Sequence, residues 1–96
     1  MPAEPRRARI PDHVVHRAFP SETVVLNLET GKYHGLNATA GRMFVALERS
    51  GSVDAAATVL AGEFNVPRDQ IVRDLRDLCR SLADRGLLEL DDLRAA

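Results

Sequence analysis

Val24-Val25-Leu26-Asn27-Leu28-Glu29-Thr30-Gly31-Lys32-Tyr33-His34-Gly35-Leu36-Asn37 is the stretch that decides the fold. Val24, Leu26 and Leu28 alternate with Val25 and Asn27, the two-residue period of a half-buried strand. Glu29-Thr30-Gly31 follows, with a glycine able to take positive φ in a tight turn. Lys32–Leu36 is then the returning strand, and Asn37 suits a helix N-cap, whose side-chain oxygen accepts a first-turn N–H. The returning strand is short and runs straight into a helix. Unless a further strand covers it, its outer edge offers unpaired N–H and C=O groups, to which an extended peptide can add itself.

Working outward, Val14–Phe19 can form a preceding strand ended by Pro20-Ser21, which makes a three-stranded antiparallel meander. Residues 1–11 carry three prolines and three arginines without periodicity and are expected to be a flexible N-terminal tail. A first helix runs from Ala38 to about Arg49, with Ala40, Met43, Phe44 and Leu47 at i, i+3, i+4, i+7, and Ser50-Gly51 ends it. Ser52 can cap a second helix, whose inner face is Val53, Ala56, Ala57, Leu60 and Phe64. Pro67 suits the start of a third helix on Ile71, Leu75, Leu78 and Leu82, which Gly86 closes before Leu87-Leu88 fold back onto the core. The predicted fold is α+β and winged-helix-like: a three-stranded antiparallel sheet followed by three helices. One domain spans residues 12–90, with a C-terminal tail at 91–96.

Ninety-six residues, 45% apolar and 28% charged, fit one small core with no room for a buried catalytic cleft. A formal charge of −1 gives no global field for nucleic acid or an anionic membrane. Cys79 is the single cysteine, so no internal disulfide forms and a cytoplasmic location is expected. The basic start lacks the apolar stretch of a secretory signal, and Ala55–Gly62, the longest apolar run, fits a core helix better than a membrane span.

The third helix is apolar over more than one stripe. Beside its core positions lie Val72, Cys79 and Ala83, with Arg68 and Arg76 close by, so the apolar face widens on one side only. Periodicity leaves two readings open: a broader buried stripe, or the floor of a groove beside the exposed strand. The segment Glu63–Asp69 between two amphipathic helices also reads as a helix-turn-helix. Against DNA binding, the third helix alternates Arg with acid (Arg73-Asp74, Arg76-Asp77), and only ten residues follow Gly86, too few for a hairpin wing and its return. His13, His16, His34 and Cys79 have no spacing of a structural zinc site, so no metal is expected. Nothing has the pattern of a phosphate loop, a triad or a carboxylate pair, so no catalytic residue and no cofactor is assigned, and no enzymatic activity is expected. Tyr33 suits either a core edge or a stacking surface, and Cys79 suits a small core hydrophobe.

"VVLNLETGKYHGLN", the helix start "ATAGRMF" and the closing "DLRDLCRSLADRGLLEL" together resemble the small PqqD-like proteins, the RiPP recognition elements, over roughly His13 to Leu90. The resemblance implies a protein that binds the leader segment of a ribosomally made precursor peptide and presents it to a leader peptidase or other modifying enzyme. It favours the groove: the leader would lie between strand Lys32–Leu36 (Lys32, Tyr33, His34, Gly35, Leu36) and helix Arg68–Arg85. Tyr33, Val72, Cys79 and Ala83 would then accept apolar or aromatic leader residues, and Arg68 and Arg76 an acidic one. The wording is most similar to the free-standing proteins of lasso-peptide clusters. The alternatives are a winged-helix DNA-binding regulator and a PqqD-type chaperone of pyrroloquinoline quinone biosynthesis. An open edge strand also makes a weak homodimer an alternative to the monomer.

Overall fold

A computed structural model of the chain describes residues 5–92. Its elements are β1 (Pro5–Arg9), β2 (Val14–Ala18), β3 (Glu22–Asn27), β4 (Lys32–Asn37), α1 (Ala38–Ser50), α2 (Val53–Phe64), α3 (Arg68–Asp84) and β5 (Glu89–Asp92). Strands β2, β3 and β4 form the expected antiparallel meander in that order, so β4 is an edge. The α+β arrangement of an antiparallel sheet followed by three helices is as the sequence predicts.

The local signals act where the sequence places them. Gly31 takes φ 74° in the β3–β4 turn, and Asn37 caps α1 by accepting the Ala40 N–H at 2.8 Å. Ser52 caps α2 through the Ala55 N–H, and Gly86 at φ 73° turns the chain after α3. Leu87 and Leu88 are buried beyond it. Phe44 and Leu47 of α1, Leu60 of α2, and Ile71, Leu75 and Leu82 of α3 fill the core beneath Val14, Val25 and Leu36 of the sheet. Burying each of the large apolar side chains contributes roughly 1.5–3 kcal/mol before cavity effects.

Two differences from expectation matter. The segment expected as a tail contains β1, which pairs antiparallel with β5, a strand that the sequence does not advertise either. Ala8 is buried and seats β1; its N–H donates to the Gly51 carbonyl at 3.3 Å, and Arg9 bonds Glu89 at 2.8 Å. This two-stranded ribbon stands in place of a hairpin wing. Residues 1–4 and 93–96, the ends of the two expected tails, lie outside the described residues.

The second difference concerns β3. Its buried side is Thr23, Val25 and Asn27; Val24 and Leu26 are only half-covered, and Leu28 is 57% exposed. Polar residues occupy the inner side because each is satisfied or closely packed there. The Asn27 carboxamide oxygen accepts the Glu29 and Thr30 N–H groups and so shapes the turn. Thr23 lies against α1 at Gly41, where a Cβ would overlap the threonine hydroxyl. The apolar set of the alternation therefore faces outward.

Candidate functional site

Hydrogen-bond phase along the meander fixes which groups of β4 are free. The Phe19 N–H donates to the Glu22 carbonyl and the Leu28 N–H to the His13 carbonyl, both at 2.7 Å. Glu22, Val24, Leu26 and Leu28 thus aim their backbone groups at β2, and the alternate residues Thr23, Val25 and Asn27 aim theirs at β4. Their partners there are Leu36, His34 and Lys32. It follows that Tyr33 and Gly35 hold their N–H and C=O groups away from β3, at the free edge. Four backbone groups, two donors and two acceptors, are presented there to an incoming strand.

Side-chain direction alternates with the same phase. His34 and Leu36 lie on the inner face, opposite buried Val25 and Thr23, and Leu36 itself is buried. Tyr33 pairs with Leu26 and points to the outer face, where it is 71% exposed. The expected pocket combining Tyr33 with Val72, Cys79 and Ala83 is therefore corrected. Tyr33 and the α3 residues lie on opposite sides of the sheet, because Val25, not Val24 or Leu26, is the core residue of β3.

Helix α3 also differs in detail. Cys79 is fully buried and belongs to the core with Ile71, Leu75 and Leu82, whereas Leu78, expected in the core, is partly exposed. Burial pushes the Cys79 thiol up to about 11, so it stays neutral at physiological pH and acts as a small hydrophobe. It cannot form an open groove floor in this structure. Val72, Arg76 and Ala83, at helical spacing from it, are partly exposed and remain on one side of α3. Arg68 is engaged within the chain, where its guanidinium bonds the Asp54 carbonyl at 3.1 Å, the Asp54 carboxylate at 3.3 Å and the Thr58 hydroxyl at 3.3 Å. It pins the start of α3 to α2, a use that competes with any pairing to a ligand acid. An open depression of about 410 Å³ is lined by Arg68, Asp69, Val72, Arg73 and Arg76.

The sequence reading missed the outer face of the sheet. Val15, Leu26 and Tyr33 form one cross-strand row and Arg17, Val24 and Gly35 the next. All of these but Gly35, together with His16 and Phe19, line a shallow, largely apolar depression of about 480 Å³. Val15 and Phe19 are each nearly half exposed. The signal was present: once Val25 is taken as the core residue, parity sends Val24, Leu26 and Tyr33 outward together.

The histidines do not converge. His16 stacks edge-on against Phe44 at 5.0 Å and stands 3.5 Å from the Glu48 carboxylate, whereas His13 lies 3.7 Å from Glu29. Among the described residues no group of three His, Cys, Asp or Glu side chains comes together as a metal site. Among the same residues no helix is long and apolar enough to cross a membrane.

An antiparallel meander whose β4 edge is covered by no other described strand, backed by three helices, defines a winged-helix-like domain. The family model described as Coenzyme PQQ synthesis protein D (PqqD) matches residues 22–88, and the chain belongs to that family. Proteins of this family are non-catalytic peptide-binding chaperones. A solved structure described as TbiB1 in complex with the TbiA(beta) leader peptide is 38% identical, with a TM-score of 0.77 over 84% of this chain and 94% of that one. A second, described as lasso peptide synthetase B1 complexed with the leader peptide, is 26% identical, with a TM-score of 0.75 over 86% and 98% of the two chains. No curated protein sequence matches the chain.

Proposed function

We propose that this protein binds the leader segment of a ribosomally synthesised precursor peptide as an added strand along β4. The observation that carries the reading is the pair of outward-facing residues, Tyr33 and Gly35, at a sheet edge that no other described strand covers. Both similar solved structures are described as complexes with a leader peptide, which supports it. Backbone bonds to Tyr33 and Gly35 supply affinity without sequence preference. Selectivity then divides between two faces. Inward leader residues lie towards His34, Leu36 and the α3 side with Val72, Arg76 and Ala83. Outward ones join Tyr33 and the exposed row of Val15 and Leu26.

The partner enzyme is a leader peptidase or another modifying enzyme, which would dock on the outer apolar face. That face continues into the leader strand, so a protein seated on it reads carrier and leader together. A lasso precursor is the preferred cargo, in line with the similarity to a lasso peptide synthetase B1. A pyrroloquinoline quinone chaperone is the second reading, favoured by the description of the matching family. It uses the same edge with a different cargo. The working unit is the monomer, because a dimer paired through β4 would cover the edge that the leader needs.

Titration of ¹⁵N-labelled protein with the synthetic TbiA(beta) leader, and with a leader from a pyrroloquinoline quinone precursor, tests the proposal. Perturbation should concentrate on the Tyr33 and Gly35 amides and on residues 72–83, more tightly with the first peptide. Shifts confined to α1 and α2, with β4 silent for both peptides, would refute strand addition.

A further inference from the structure

We infer that Glu22 sets specificity for the added strand, selecting a lysine or arginine at the peptide residue that comes to lie beside Gly35. The inference rests on the strand-addition reading and adds to it a residue and a ligand chemistry.

Gly35 is the starting point, because nothing within the chain requires a glycine there. Its φ lies outside the left-handed region, unlike those of Gly31, Gly51 and Gly86. A Cβ built on it would meet only the Glu22 Oε1, at an ordinary 3.7 Å. Alanine would therefore fit both backbone and packing. What the glycine does is leave the outer face of the edge bare, at one of the two residues that aim hydrogen-bonding groups outward.

The side chain that reaches this bare position is Glu22. It starts β3, pairs with Asn37, and is the diagonal neighbour of Gly35, whose direct partner is Val24. Its carboxylate oxygen stands 3.7 Å from where a Cβ on Gly35 would lie. Among the described residues that carboxylate makes no ion pair or hydrogen bond, and Arg17, on the same face opposite Val24, does not bridge to it. An unpartnered carboxylate over a residue without a side chain forms a half-built subsite.

Directly paired residues on neighbouring strands share a face. The peptide residue opposite Gly35 therefore projects onto the outer face, into the space that the glycine leaves. A lysine or arginine there can lay its aliphatic stem over Gly35 and half-buried Val24 and carry its charge to Glu22. An acidic residue would meet like charge. Cross-strand charge pairs of this kind change affinity about two- to five-fold, because water screens them.

The test is selection of a displayed library of random 12-residue peptides on the full-length protein, as wild type, Glu22→Gln and Glu22→Lys. Enriched peptides are then mapped by amide shifts. Glu22 is exposed, so both variants should fold, which circular dichroism checks. Wild-type binders should perturb Tyr33 and Gly35 and favour Lys or Arg at one position. Glu22→Gln should lose that preference, and Glu22→Lys should turn it to Asp or Glu, with matched pairs two- to five-fold tighter. Peptides that bind at Tyr33 and Gly35 with the same charge preference on all three proteins would overturn the role of Glu22 and leave strand addition standing. If no enriched peptide perturbs those two amides, strand addition fails and the Glu22 inference with it.

Discussion

Proline scanning along β4 separates the edge that binds from the edge that folds. The N–H of Gly35 points outward, so Gly35→Pro removes a donor that the β3–β4 ladder does not use. The His34 N–H points to Val25 in the sheet interior, so His34→Pro breaks the ladder itself. In the complex, Gly35→Pro leaves a peptide carbonyl covered but unpaired, which costs about 1–3 kcal/mol, or about 5- to 150-fold in Kd. His34→Pro places a similar penalty on the buried Val25 carbonyl in the free protein, so it appears as lost stability. The assay pairs urea denaturation of each variant with calorimetric titration of a peptide that shifts the Tyr33 and Gly35 amides. Gly35→Ala is the control for side-chain bulk, since only Glu22 lies near its new methyl group. The expected pattern is a folded, weakly binding Gly35→Pro and a destabilised His34→Pro. Unchanged affinity in a folded Gly35→Pro, or a stable His34→Pro beside an unfolded Gly35→Pro, would refute the phase assigned to the strand.

Three further outcomes follow from the packing. Gly41→Ala, which in an open helix would add about 1 kcal/mol, should here be net destabilising, because the new Cβ stands 3.0 Å from the Thr23 Cβ; pairing it with Thr23→Ala in a double-mutant cycle should recover at least about 0.5 kcal/mol. Native Cys79 should resist iodoacetamide at pH 7.5 and react only in denaturant, and Cys79→Arg should abolish cooperative unfolding; rapid native labelling would place the thiol on an open surface. Arg42 donates to Glu63 at 2.8 Å and holds its carboxyl below the usual range, so the pair stabilises above about pH 4.5 and the effect fades as pH falls through the lowered value. With both groups exposed it contributes a few tenths of a kcal/mol, seen as a urea-midpoint difference between wild type and Arg42→Ala that should shrink as pH falls below the ordinary carboxylate range.

Much of the fold was legible because its signals are local. Asn37, Ser52, Gly31 and Gly86 each act through a turn or cap formed by their own neighbours, and the three helices carry unbroken apolar stripes. Strands β1 and β5 were not legible, because they hold each other across nearly the whole chain, and among the described side chains of β1 only an alanine is buried. In α3 the apolar band includes both Leu78 and Cys79, and only the neighbours decide which turns inward. The smaller side chain does, leaving Leu78 partly exposed. A helical wheel weighs each residue by its own hydrophobicity and cannot see that choice.

The candidate site turned on one bit of information, the parity of β3. Counting apolar residues favours Val24, Leu26 and Leu28 as the buried set, three against Val25 alone. The structure buries Val25 because Thr23 and Asn27 on its side have specific inward roles, against α1 and within the β3–β4 turn. That exchange carries Tyr33 from the helix side of the sheet to the open side and leaves an apolar row uncovered. A chain that fully buried its most apolar strand face would gain stability and lose the surface beside its binding edge. The polar residues on the inner side of β3 are thus what keep the outer side free, and the same register that turns Tyr33 outward sets its backbone, with that of Gly35, at the edge for a partner strand.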